Sequence, residues 1–187
     1  MPTTPRTRPT QTREVRGLRA RSRGALLLLL TLSLSSSAVV FAAPPALVAG
    51  AAAPAFQLPA RSGTAALDSL RGDVVLVDFW ASWCGPCRQS FPWLAELQKR
   101  LQSRGLRVVA VNLDKSRAAA DQFLARYEVP FTVAFDPAGA TAERYGVRAM
   151  PTSVLVDRAG RVVRVHAGFE AARAADWAAA IEAECAK

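Results

Sequence analysis

The 187-residue chain is 51% hydrophobic and 21% charged, enough apolar material for one core-forming domain and the wrong balance for a disordered chain. Its formal charge of +9 is concentrated at one end: seven arginines and one glutamate fall in the first 42 residues, and the remainder carries 17 basic and 14 acidic residues, a net of +3. That distribution removes the electrostatic case for nucleic-acid binding by the folded part.

In chain order, the arginines from Arg6 to Arg23 precede the apolar run Ala25–Leu34, the charged and hydrophobic regions of an export signal, and Val40-Phe41-Ala42 offers a small-residue cleavage site. An uncleaved membrane anchor fits the same stretch, because no charge occurs between Arg23 and Arg61 and about 20 apolar residues cross a bilayer. Ser35, Ser36 and Ser37 weaken that span without forbidding it. Either way the basic end stays inside, the rest is delivered to the outer side of the cytoplasmic membrane, and residues 1–42 are signal or anchor. No cysteine precedes Cys84, so no lipid-modified cysteine anchor is expected. Residues 43–53, alanine, proline and glycine with little pattern, read as a linker.

The domain is expected over 54–187. Phe56-Gln57-Leu58 suggests a short strand, and the turn signal Arg71-Gly72-Asp73 precedes Val74–Trp80, a β-branched and aromatic run that predicts a central strand buried on both faces. A helix follows with Cys87, Phe91, Leu94, Leu97 and Leu101 on one face, kinked at Pro92 and ending at Gly105. Leu106–Leu113 predicts a strand, Ser116–Tyr127 a helix and Phe131–Phe135 a third core strand before the turn at 136–139. Strand–helix alternation implies parallel pairing there. Thr152–Val156 and Arg161–His166 form a hairpin around Asp157-Arg158-Ala159-Gly160, and Ala171–Ala186 a last helix. The sum is an α/β fold, a mixed sheet flanked by helices.

Three cysteines allow one disulfide and leave one thiol over. Cys84 and Cys87 are the candidate pair, and their two-residue spacer closes too small a loop to act as a staple, so its value is chemical. At the junction of buried strand and helix, Cys84 gains from unpaired amides and the helix dipole, which favour a thiolate; it is expected to be the nucleophile and the more exposed sulfur. Cys87, in the first turn, is placed to attack the mixed disulfide. Gly85 is expected to permit a tight backbone turn and Pro86 to fit the helix start. A structural zinc site needs four ligands, and beyond the pair only Cys185 and His166 remain; haem attachment needs histidine where Arg88 stands. No metal or other cofactor is expected. Asp78, inside the buried strand, should protonate more readily than in water and serve as proton acceptor for Cys87. Cys185 is read as a packed thiol, His166 as a surface residue, and Trp80 as core.

Val77-Asp78-Phe79-Trp80-Ala81-Ser82-Trp83-Cys84-Gly85-Pro86-Cys87-Arg88, with Met150-Pro151-Thr152 and Gly168 downstream, resembles the thioredoxin superfamily. The resemblance implies a three-layer thioredoxin-like fold with Pro151 cis beside the cysteines and the Met150 backbone contacting substrate, so that Trp83, Gly85, Pro86, Met150 and Pro151 form the substrate surface. Within the superfamily the chain is most similar to the TlpA/ResA-like exported thiol-disulfide oxidoreductases, on three features: the leader, the extension ahead of the central strand, and the inserted helix–strand segment from Ser116 to Phe135. It departs from that branch at Asp78 and Gly85, where many members carry an amide and a bulkier or acidic residue. The resemblance implies reduction of disulfides in exported proteins, apocytochrome c among them, with electrons from a membrane thiol-relay protein. Two other functions share features with the chain. A thiol peroxidase has this fold but a single cysteine in a threonine-containing motif, unlike Ser82 and the pair here; a copper carrier or assembly chaperone would use the cysteines as soft ligands, but the sequence has no well-placed histidine or methionine to complete the set, Met150 being the one residue able to approach.

Overall fold

The structure, a computed structural model, describes residues 47–187; the expected signal or anchor lies outside them. The run Val74–Trp80 forms β3, with every residue buried. It pairs in parallel with β4 (Leu106–Asn112), which pairs in parallel with β5 (Thr132–Phe135). On the other side β3 pairs antiparallel with β6 (Thr152–Val156), and β6 with β7 (Val162–Ala167), giving the order β5-β4-β3-β6-β7. The parallel half followed by a hairpin is the arrangement read from the sequence.

Alternation along β3 divides the core. Val74, Leu76 and Trp80 face a layer built from α1 (Cys87–Leu101), α2 (Arg117–Leu124) and α4 (Ala174–Cys185), where Phe91, Leu94, Phe123, Trp177 and Ile181 are buried. Val75, Val77 and Phe79 face the opposite layer, which holds Ala142 of α3 (Ala140–Arg144), Tyr145, and Phe56, Ala65 and Leu67 from the N-terminal part. Each β3 side chain is thus committed to one of two dry surfaces, the pattern a strand with helices on both sides requires.

Several elements differ from expectation. The first strand is β1 (Gln57–Pro59), paired antiparallel with β2 (Thr64–Ala66), which was not predicted; an antiparallel bridge from Ala60 to Ala134 ties this hairpin to the β5 edge. The short helix α3 was also not predicted; Asp136, buried, accepts the amides of Thr141 and Ala142 and so starts it. Helix α2 ends at Leu124, and α1 runs through Pro92, whose ring removes the bond to the Arg88 carbonyl. Among the described residues no helix is long and apolar enough to cross a membrane.

Candidate active site

The chain leaves β3 at Trp80, turns over Ala81–Pro86 and enters α1 at Cys87. Cys84 donates its amide to the Ala81 carbonyl (3.1 Å), and Arg88, Gln89 and Ser90 donate to Gly85 and Pro86, so the first helical bonds close around the motif. Cys84 and Cys87 form a disulfide, with Cα atoms 5.3 Å apart. The amide of Cys87 is aimed at Cys84 Sγ at 3.2 Å. Cys84 therefore stands in the turn ahead of the helix, and this one amide carries the influence of the helix start to its sulfur. Cys84 is the more exposed of the two, as expected, but the contrast is small, 4% against 0%, because both side chains lie in the core cluster with Trp80, Ala81 and Phe91.

Gly85 also needs correction. A Cβ placed there would meet nothing within 4 Å, and its φ is not positive, so the backbone does not require glycine. It leaves open space at that position. Pro86 is the N-cap residue at φ −62°, one position before the helix. Trp83 is 69% exposed beside the disulfide.

The register Phe79↔Thr152 brings the start of β6 to the end of β3 where the cysteine turn begins. Met150–Pro151 is a cis peptide at that point, Met150 packs on the cluster containing both cysteines, and Gly168, at φ +84°, donates its amide to the Pro151 carbonyl at 2.7 Å. Thr152 Oγ1 donates to the Ala149 carbonyl at 2.7 Å.

Asp78 shares the alternation of Leu76 and Trp80, on the face that packs α1. It is 1% exposed, and Ser153 Oγ, opposite it in register, donates to Oδ1 at 2.6 Å; Oδ2 bonds no described residue. Burial raises this carboxyl from 3.8 to about 7, and the Ser153 bond holds it lower than burial alone would. At neutral pH it can therefore both take and release a proton.

A second carboxylate had no sequence signal. Asp114, buried just after β4, receives the Ser82 amide (3.0 and 3.2 Å), the Ser82 hydroxyl (3.1 Å) and Asn112 Nδ2 (2.9 Å), and its own amide donates to Asn112 Oδ1 at 3.1 Å. The cysteine turn is thereby tied to the sheet by a side chain 32 residues away.

Elsewhere, Cys185 is buried in the α1–α4 layer, and burial pushes its thiol pKa up. His166, expected on the surface, is half-buried and stacked on Trp177 at 5.5 Å, with its pKa lowered by burial and by Arg164 and Arg173. Among the described residues no group of three or more histidine, cysteine or acidic side chains could hold a metal ion.

The family described as Redoxin matches residues 48–181, most of the chain and all the elements above except the end of α4. The chain belongs to the Redoxin family. Within it, the chain is 35% identical over 144 residues to the thiol-disulfide oxidoreductase ResA of Bacillus subtilis, covering 76% of this chain and 80% of that one. ResA of Geobacillus thermodenitrificans is 32% identical, with 76% and 83% covered. A solved structure, the putative thiol:disulfide interchange protein DsbE from Chlorobium tepidum, superposes with a TM-score of 0.74 at 48% identity, covering 75% of this chain and 99% of that one. This Redoxin-family chain is a TlpA/ResA-like member of the thioredoxin superfamily and a thiol-disulfide oxidoreductase.

Proposed function

We propose that this protein is exported and reduces disulfides in polypeptides outside the cytoplasm, apocytochrome c among them, with Cys84 as nucleophile, Cys87 as resolving thiol and Asp78 as proton acceptor. The observation that carries the assignment of Cys84 as nucleophile is the Cys87 amide on Cys84 Sγ, which favours negative charge on that sulfur. The Cys84 thiolate attacks one sulfur of the substrate disulfide; a mixed disulfide forms and the other substrate sulfur leaves as thiolate. Cys87, giving its proton to the Asp78 carboxylate, attacks Cys84 Sγ, so that the Cys84–Cys87 disulfide forms and the second substrate thiolate departs. Two electrons pass to the substrate, and the proton on Asp78 is returned to solvent or product. Trp83, the open space at Gly85, Pro86, Met150 and Pro151 form the surface on which substrate lies.

Each turnover leaves the protein oxidised, so a donor must restore the dithiol, and the extracytoplasmic space lacks a reducing glutathione pool. A membrane thiol-relay protein fits that need. The segment of residues 1–42 delivers the domain, as cleaved signal or as anchor.

The residues between the cysteines favour reduction over oxidation. Gly85 and Pro86 add no charge to stabilise a Cys84 thiolate, and a buried carboxyl on the α1 side of β3 disfavours a second anion, so the dithiol is a good electron donor. Equilibration against glutathione and dithiothreitol tests this: the reading predicts a potential nearer roughly −270 mV than roughly −120 mV. A value above about −150 mV contradicts it and favours disulfide formation.

A further inference from the structure

One wall of the cysteine turn opens on a cleft that thiol exchange does not use. It has a volume of about 180 Å³ and is lined by Ser82, Arg88, Ala119, Gln122, Phe123 and Arg126. Ala119, Gln122, Phe123 and Arg126 follow one another at spacings of three, one and three along α2 and the turn after it, which makes them a single stripe. Phe123, buried against Trp80 and Phe91, gives the cleft a rigid floor. The other wall is the cysteine turn and the start of α1: Ser82 precedes Cys84 by two residues, and Arg88 follows Cys87 directly.

The charge in this cleft has no internal counterpart. Arg88, Gln122 and Arg126 make no side-chain hydrogen bond or ion pair with any described residue, although most other arginines in the domain do. The carboxylates nearby are engaged: Asp114 is buried under four bonds from Ser82 and Asn112, Asp121 is paired with Arg117 at 3.1 Å, and Glu128 with Lys99 at 2.8 Å. Two guanidinium groups and the Gln122 amide therefore line a concave site whose neighbouring carboxylates are already engaged. A carboxylate is the complement of that set.

We propose that this cleft receives an aspartate or glutamate side chain of the substrate polypeptide, a few residues from the target cysteine, so that Arg88 and Arg126 select disulfides with acidic flanks. The proposal rests on the thiol-disulfide exchange assigned above and adds to it a class of preferred substrate. A polypeptide, not a free anion, is the occupant because the cleft shares its wall with the reactive turn: a chain presenting its disulfide to Cys84 passes Ser82 and Arg88 on the way. The exposed Trp83 indole on the same turn gives such a chain an apolar footing beside the charged one.

The test uses the full chain in its reduced form and three peptides, each closed by one internal disulfide and identical except for a Glu, Gln or Lys near the cysteine. The readout is the ratio of second-order reduction rate constants. The proposal predicts that the Glu peptide is reduced about fivefold faster than the Gln peptide and that the Lys peptide is slowest, with the spread shrinking at high salt. In the double variant Arg88→Gln/Arg126→Gln the ratio falls to about one, and Arg126→Glu shifts the preference toward the Lys peptide. Equal rates for the three peptides overturn the proposal and leave the exchange reaction standing. A Glu preference that survives in the double variant also overturns it, since the preference then belongs to the overall charge. Failure to reduce any of the three removes the exchange reading and the cleft with it.

Discussion

At the residue scale, Asp78 is the group on which pH acts. With its carboxyl near 7, the fraction able to accept the Cys87 proton rises through neutral pH. Asp78→Asn is predicted to slow the resolving step by about tenfold or more while leaving the first attack by Cys84 nearly as fast, which stopped-flow traces of both phases would separate. An unchanged resolving phase would return Asp78 to a structural role. Ser153→Ala removes a bond that favours the ionised form, so the alkaline rise of that phase should move to higher pH. The same group has a signature in stability. Between about pH 4 and about pH 7 the native carboxyl keeps a proton that the unfolded chain has lost, so stability falls as pH rises through that window and levels off above it, by at most about 4 kcal/mol. Urea unfolding of the oxidised protein should therefore show a larger drop from pH 5 to pH 8 in the wild type than in Asp78→Asn; equal drops would contradict the shift. The burial of Asp78 was legible in the apolar run around it. Ser153 was not, because only strand register brings it opposite a residue 75 positions away.

At the scale of elements, the cysteine turn is held by two different devices. One is local: Cys84 to Ala81, and the helix-start amides to Gly85 and Pro86. The other is remote, the Asp114 carboxylate that gathers Ser82 and Asn112. Asp114→Ala leaves the Ser82 amide and the Asn112 side chain without their acceptor, with an expected loss of about 2 kcal/mol measured by urea unfolding. Loosening of the turn should accompany it, read as faster amide exchange at Ser82 and Trp83; protection equal to wild type would show that the local bonds suffice. The long elements β3, α1 and β4 were visible in the sequence because each carries a periodicity that burial imposes. Strand β2 and helix α3 were not, because each is short and exists through contacts made elsewhere: β2 through β1 and the β5 edge, α3 through the Asp136 cap. Gly85 was read as a backbone requirement because glycine so often is one; neither a positive φ nor a close neighbour requires it there.

At the scale of the whole molecule, the sheet makes a rigid frame that brings together residues from three parts of the chain. The C-terminal half of β3 supplies Asp78 and the turn to Cys84, α1 supplies Cys87, and the segment entering β6 supplies Met150 and Pro151 at the same end of the sheet. The third cysteine stands apart and buried: its carbonyl and that of Arg104, just past the C-terminal end of α1, both accept from Arg158, at 3.3 and 3.1 Å. Only the close pair is therefore placed for exchange, and the order of attack within it is the central claim. Cys87→Ser removes the resolving thiol and keeps the nucleophile. Incubated with a disulfide substrate and resolved without reductant, this variant is predicted to accumulate a mixed disulfide that mass spectrometry locates at Cys84, while Cys84→Ser traps nothing and Cys185→Ser turns over as wild type does. Continued catalytic turnover by Cys87→Ser, or trapping at Cys185, would contradict the account.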